Sequence, residues 1–339
     1  MSAPRRALVT GAGGFIGANL CRRLLRDGHA VHAVVRPGGD RWRLAAIGGE
    51  IAVHEVDLLD AAALRAALGA ARPDWLFHLA AHGAYSWQTE SAAIFATNAA
   101  ASAQLLDMAC ERGFDAFVQA GSASEYGPRD RPARESEPVD PRSAYSVSKA
   151  AATHYARAAA LDRDVHAMTL RLCSAYGPWE DPHRLVPTLA AYGLNGRLPP
   201  LADPRAALDF VFVDDVCEAF VRAARATGLE RGTVLNAGSG TRTSLAELVE
   251  LAREELAIDE PPRWSTIAPR TWDTTAWAAD CKLIRRRLGW RPRWGMREGF
   301  RHLVDWLDHD PSTRARYTAT PLSSQAIERH SRESACAAV

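Results

Sequence analysis

Residues 7–17 constrain the fold more than any other stretch. An apolar run, Ala7-Leu8-Val9-Thr10, stops at Gly11-Ala12-Gly13-Gly14-Phe15-Ile16-Gly17, and helical spacing of Leu20, Leu24 and Leu25 follows at once. Strand, glycine turn and helix in that order let backbone approach a pyrophosphate, whose charge is received by the free amides of a helix N-terminus. The glycines fall at 11, 14 and 17, a G-x-x-G-x-x-G spacing rather than the commoner G-x-G-x-x-G. The flanking strand and helix supply the context that turns a glycine cluster into a dinucleotide site.

The alternation continues down the chain. Strands are expected at 30–35, 51–56, 75–80, 116–120 and 165–172, with helices at 60–69, 91–110 and 144–160 between them. Apolar strands in β-α order predict an α/β, Rossmann-type doubly wound parallel sheet covered by helices on both faces. After residue 178 prolines punctuate short segments, which marks a smaller mixed α/β C-terminal substrate lobe at 179–310, with 205–240 returning partly to the first domain, 1–178. Beyond Pro311 the chain turns polar and aperiodic, so 311–339 reads as a flexible tail. Lys plus Arg total 41 against 40 acids, a formal charge of +1 that recommends neither nucleic acid nor an anionic membrane as partner. The cysteines at 21, 110, 173, 217, 281 and 336 have no metal-binding spacing. No N-terminal stretch has signal or membrane-span length, and the expected location is cytoplasmic.

In such sheets ligands sit beyond the carboxyl ends of the strands. Arg36 ends the second strand, where a protein preferring NAD places an acid; with Arg41 and Arg43 following, NADP(H) is favoured, NAD(H) remaining possible. Tyr145 and Lys149 share one helix face, and an ammonium beside a phenol lowers its pKa toward a proton-shuttling range. Read on residues alone, Ser122 is a turn serine or a second donor at that phenol's reaction centre, and His82 a structural histidine or an acid–base group.

Taken together, Gly11/Gly14/Gly17, Asp57-Leu58, His78 to Ala81, Asn98, Gly121-Ser122 to Gly127, Tyr145/Lys149, Arg171 to Pro178, Asp209 to Val216 and Leu288-Gly289-Trp290 make the chain resemble the extended short-chain dehydrogenase/reductase family. The resemblance spans about residues 5–308. It implies Ser122, Tyr145 and Lys149 as a catalytic trio. It places Gly11, Gly14, Phe15, Ile16, Gly17, Asp57, Leu58, Leu79, Ala80, Ala81, Asn98 and Cys173 around a nicotinamide dinucleotide, with Lys149 on its ribose. A nucleotide-diphosphate sugar is implied in the C-terminal lobe, for which His82, Tyr85, Ser124, Ser174, Arg184, Arg205 and Arg270 are the candidates.

Departures sharpen the expectation. Sugar dehydratases of the family carry an Asp-Glu pair where this chain has Ala123 and Ser124; Leu208 replaces a common arginine, and Ser174 a common asparagine. With Arg36, this favours an NADPH-dependent reductase of a keto nucleotide-sugar of the 4-keto-6-deoxyhexose type. The alternative is an NAD(P)-retaining C4 epimerase; a cofactor-binding regulator without chemistry is the third reading. A homodimer through the Ala/Leu-rich stretches 99–109 and 150–160 is also expected.

Overall fold

A computed structural model describes residues 3–85, 87–266 and 278–318. The glycine turn separates β1 (Arg6–Thr10) from α1 (Phe15–Arg26), as the sequence demands. The chain continues through β2 (Ala30–Val35), β3 (Ala52–Glu55), α2 (Ala61–Ala71), β4 (Trp75–His78), α3 (Ser91–Phe95) and α4 (Ala101–Arg112). Next come β5 (Ala116–Ser122), α5 (Ala144–Asp162), β6 (Ala167–Leu172), β7 (Ser174–Tyr176) and α6 (Leu185–Gly193). The remainder comprises β8 (Ala207–Leu208), β9 (Phe210–Phe212), α7 (Val213–Arg225), β10 (Val234–Ala237), β11 (Thr243–Ser244), α8 (Leu245–Leu256), α9 (Lys282–Leu288), α10 (Met296–His309) and α11 (Pro311–Thr318).

The principal sheet has seven strands in the order β10-β6-β5-β4-β1-β2-β3, every neighbouring pair parallel. From β1 the chain builds outward through β2 and β3, then returns to build the other way from β4. The reversal opens a crevice at the carboxyl ends of β1 and β4, where open α/β sheets bind ligands. On one face of the sheet Val9, Leu20, Phe77, Val118 and Phe220 are fully buried. Leu8, Leu64, Leu105 and Phe117 fill the other. Leu189, Phe212, Leu248 and Phe300 belong to a third buried cluster. Burial on both faces explains why the strands read as unbroken apolar runs.

The crevice admits no side chain at two glycines. Gly11 has φ +67°, and a Cβ there would lie 2.6 Å from the Ala80 amide nitrogen; a Cβ on Gly17 would lie 2.2 Å from the Gly11 carbonyl oxygen. The first contact joins the ends of β1 and β4, and the second seats α1 against the turn.

Two segments depart from expectation. The helix predicted over 91–110 contains a π-helical turn at Ala96–Ala100, which turns Asn98 fully inward. Residues 311–318 form a helix rather than tail: Asp310 accepts from the amides of Ser312 (3.0 Å) and Thr313 (3.2 Å), and Tyr317 is buried against Trp42 and Trp306. The rest of the expected tail, 319–339, lies outside the described residues. Among the described residues no helix is long and apolar enough to cross a membrane.

Gly17→Ala forces the turn apart, and is expected to cost at least about 2 kcal/mol in denaturant unfolding together with most dinucleotide affinity in a fluorescence titration.

Candidate active site

The turn fits a dinucleotide. Gly14 is the N-cap of α1, has extended backbone and makes no side-chain cap, so the first amides of α1 are free for a pyrophosphate. The crevice walls are held by a relay. Thr10 Oγ1 and His78 Nδ1 are 2.7 Å apart, His78 Nε2 and Ser102 Oγ 2.7 Å, and Ser102 Oγ donates to the Asn98 carbonyl at 2.6 Å. Burial, aided by Lys149, pushes the His78 pKa down to about 3, so it is a neutral structural imidazole.

The three arginines after β2 part company. Arg36 is exposed, and its side chain makes no hydrogen bond or ion pair among the described residues. Arg41 instead pairs with Glu55 at 2.7 Å. Arg43 turns back into the molecule, donating from Nε to the Trp179 carbonyl (2.7 Å) and from Nη1 to the Gly13 carbonyl (3.4 Å). Only Arg36 is left to meet a 2′-phosphate. Asp57 is exposed and caps its own turn through the Leu59 amide at 2.9 Å, while Leu58 is buried. Leu79 and Ala80 line the crevice opposite Gly11, with Ala81 exposed beside them. Asn98 sits one layer behind: it accepts from the His82 amide (2.8 Å) and donates to the His82 carbonyl (2.8 Å) and Ser148 Oγ (2.9 Å), tying the loop after β4 to α5. Cys173 follows β6, and burial with Asp209 and Cys281 close by holds its thiol pKa well above the ordinary value.

The trio comes together from two elements. Ser122 ends β5 and caps the 3-10 turn Ala123–Tyr126, its Oγ accepting from the Ser124 amide at 3.1 Å and lying 2.8 Å from Ser124 Oγ. A Ser143 capping box starts α5, which carries Tyr145 and Lys149. Burial is the largest influence on the Tyr145 phenol and raises its pKa; the Arg184 charge opposes, the Glu125 charge adds, and the Ser122 side chain opposes. Among the cations, the charge of Arg184 favours ionisation of Tyr145. Lys149 is itself buried, which lowers its ammonium to about 8 against the upward pull of Glu125.

Glu125 and Arg171 lie within the motifs at 121–127 and 171–178, but motif reading gives them no role in the site. Glu125 is fully buried, accepts from the Ser122 amide (2.8 Å) and Thr153 Oγ1 (3.1 Å), and pairs with Arg171 Nε at 2.8 Å. The signal available was Glu125 at the third position after Ser122, the reciprocal half of a capping box.

On the substrate side Tyr85 stacks on Trp87 with ring centroids 4.7 Å apart, the Arg184 guanidinium lies 4.7 Å from the Tyr85 ring centre, and Arg184 donates to the Ala84 carbonyl at 2.9 Å. Ser124 and Ser174 are partly exposed at the ends of β5 and β6. His82 is partly buried, and burial and then Arg36 lower its pKa. Arg205 is not gathered here: it is 86% exposed and paired with Asp203 at 2.8 Å. Arg270 lies outside the described residues. Among those residues no group of three or more His, Cys, Asp or Glu side chains is placed to hold a metal.

Glu180 was not foreseen. It is 6% exposed, its Oε2 has no hydrogen-bond partner among the described residues, and burial lifts its pKa from 4.5 to about 8, with Arg184 opposing and Asp181 adding. Between those two values the folded protein keeps a proton that the unfolded chain has lost, so stability falls as pH rises through that window and levels off above it. Thermal melts from pH 4 to 9 should show Glu180→Gln gaining on the parent progressively, by on the order of 1–3 kcal/mol at the alkaline end. A pH-independent difference would refute the assignment.

The chain is similar to known epimerases and dehydratases. A sequence model described as the NAD dependent epimerase/dehydratase family matches residues 7–238. The UDP-glucose 4-epimerase of Mycolicibacterium smegmatis is 32% identical over 312 residues, covering 89% of this chain and 98% of the relative. The UDP-glucose 4-epimerase of Thermotoga maritima, solved with UDP-glucose, superposes with a TM-score of 0.81 at 26% identity, covering 89% of this chain and 98% of that one. The Thermus thermophilus UDP-glucose 4-epimerase, solved with NAD, gives 0.79 at 29% identity, with 89% and 98% covered.

Proposed function

Because the chain belongs to the NAD-dependent epimerase/dehydratase family of extended short-chain dehydrogenase/reductase enzymes, we propose that it is a nucleotide-sugar epimerase that keeps its nicotinamide dinucleotide through the cycle. The observation that carries this reading is the turn 122–125. It carries a hydroxyl, Ser122, whose side chain favours ionisation of the Tyr145 phenol, while its one carboxylate, Glu125, is fully buried and spent on Arg171. A dehydratase needs a free carboxyl acid and base to eliminate water, and Ala123 and Ser124 offer none.

When bound, the dinucleotide supplies a hydride acceptor that returns what it takes. Gly11, Gly14 and Gly17 give its pyrophosphate room, and the first amides of α1 meet its charge. Tyr145 removes the proton of a sugar hydroxyl and later gives it back, with Ser122 donating to the same oxygen. Its raised pKa keeps the phenol protonated at rest, so its own proton must first pass to solvent, and the phenolate that results, favoured by Arg184 and Ser122, is the form that takes the sugar proton. Lys149 suits the ribose hydroxyls, and Arg184 with Tyr85 suits the sugar-diphosphate side. The relatives named above are UDP-glucose enzymes, which makes a UDP-hexose the first substrate to try.

A second reading, the NADPH-dependent keto-sugar reductase, draws support from Arg36 alone. The diversion of Arg41 to Glu55 and of Arg43 to Gly13 and Trp179 weakens that support.

Purified protein incubated with UDP-glucose and NAD should form UDP-galactose, followed by proton NMR, with no net change in nicotinamide absorbance; Tyr145→Phe should lower turnover by about 10²–10⁴-fold. Net NADPH consumption with a 4-keto-6-deoxy nucleotide-sugar, and no interconversion, would reverse the order of the two readings. Full activity in Tyr145→Phe would overturn both.

A further inference from the structure

Trp179 has φ +71°, a left-handed conformation that costs a bulky residue energy and persists only where its surroundings hold it. Both carbonyls of the turn are captured from outside it. Arg43 Nε takes the Trp179 carbonyl at 2.7 Å, and the Tyr317 hydroxyl takes that of Glu180. The Trp179 ring is closed in by Trp42 (5.3 Å between centroids) and Trp306 (5.0 Å). Five residues after Trp179, at the start of α6, Arg184 reaches Ala84 and Tyr85, and its charge acts on Tyr145. The strained turn thus sets where the substrate-side cation stands.

Arg43 holds more than this turn. Its Nη1 also donates to the Gly13 carbonyl at 3.4 Å, inside the glycine cradle. One guanidinium therefore spans the dinucleotide loop and the loop that bears Arg184, a two-acceptor fork that a lysine cannot reproduce.

We infer that Arg43 is a positioning residue that couples the two halves of the site, so that filling the glycine cradle presets the 179–184 loop for a nucleoside diphosphate. This rests on the reading of the chain as a nucleotide-sugar enzyme. Such coupling is reciprocal: each ligand tightens the other by the same factor.

Calorimetric titration of UDP, with and without saturating NAD, tests it. In the parent protein NAD should tighten UDP by about tenfold. In Arg43→Met the ratio should fall to within about twofold of unity, Arg43→Lys should lie between, and Tyr317→Phe, which frees the other carbonyl, should reduce it as well. Folding is checked by thermal melts, and should Arg43→Met fail to fold, Tyr317→Phe decides. A parent ratio of one with both ligands binding, or an undiminished ratio in the folded variants, overturns the coupling and leaves the nucleotide-sugar reading standing. A parent that binds NAD but neither UDP nor dTDP overturns that reading, and the coupling with it.

Discussion

The buried ion pair of Glu125 and Arg171 is the constraint on which the site depends. Both side chains are removed from water, 0% and 4% exposed, so each charge has only its partners to replace solvation. Glu125 spends its acceptors on the Ser122 amide, on Thr153 of α5 and on Arg171 of β6. Arg171 also lies over the Tyr126 ring at 4.5 Å, and Tyr126 donates to Asn236 of β10 at 2.7 Å. The carboxyl ends of β5, β6 and β10 and the helix bearing Tyr145 are thereby fixed to one another. Removing one partner of such a pair typically costs about 3–5 kcal/mol, because the other charge is stranded.

Desolvation sets the chemistry as well as the geometry. It holds Tyr145 protonated, brings Lys149 down to about 8 and keeps His78 neutral. Against that background, few charges reach the phenol: Glu125 resists its ionisation and Arg184 favours it. Arg184 stands at the start of α6, outside the helix that bears the tyrosine.

What could be read from sequence was local. The glycine turn, the β-α alternation and the shared face of Tyr145 and Lys149 are set by spacings of a few residues, and each is found where spacing puts it. What could not be read was which distant group each long side chain prefers. Arg41 finds Glu55, Arg43 finds Trp179 and Gly13, and Arg205 never leaves Asp203, so a run of basic residues overstated the charge offered to ligand. Helical spacing likewise brings Tyr145 and Lys149 together at the backbone and leaves the positions of their tips to tertiary contacts. Asn98 is named from the family motif, but its fully inward placement could not be read from periodicity because a π turn interrupts the helix there. The helix at 311–318 escaped because Asp310 and one buried tyrosine stabilise a segment with no apolar stripe.

Glu125 accepts from the Ser122 amide and so fixes the turn beside Tyr145, and a double-mutant cycle in turnover tests whether the proposed reaction depends on it. Glu125→Gln in the parent background should lower kcat at least tenfold, and the same change in a Ser122→Ala background should cost less than about twofold, because the group it positions is already gone. If the two losses multiply instead, the ion pair acts on the reaction by some other route, and Glu125 is not what holds Ser122 in place.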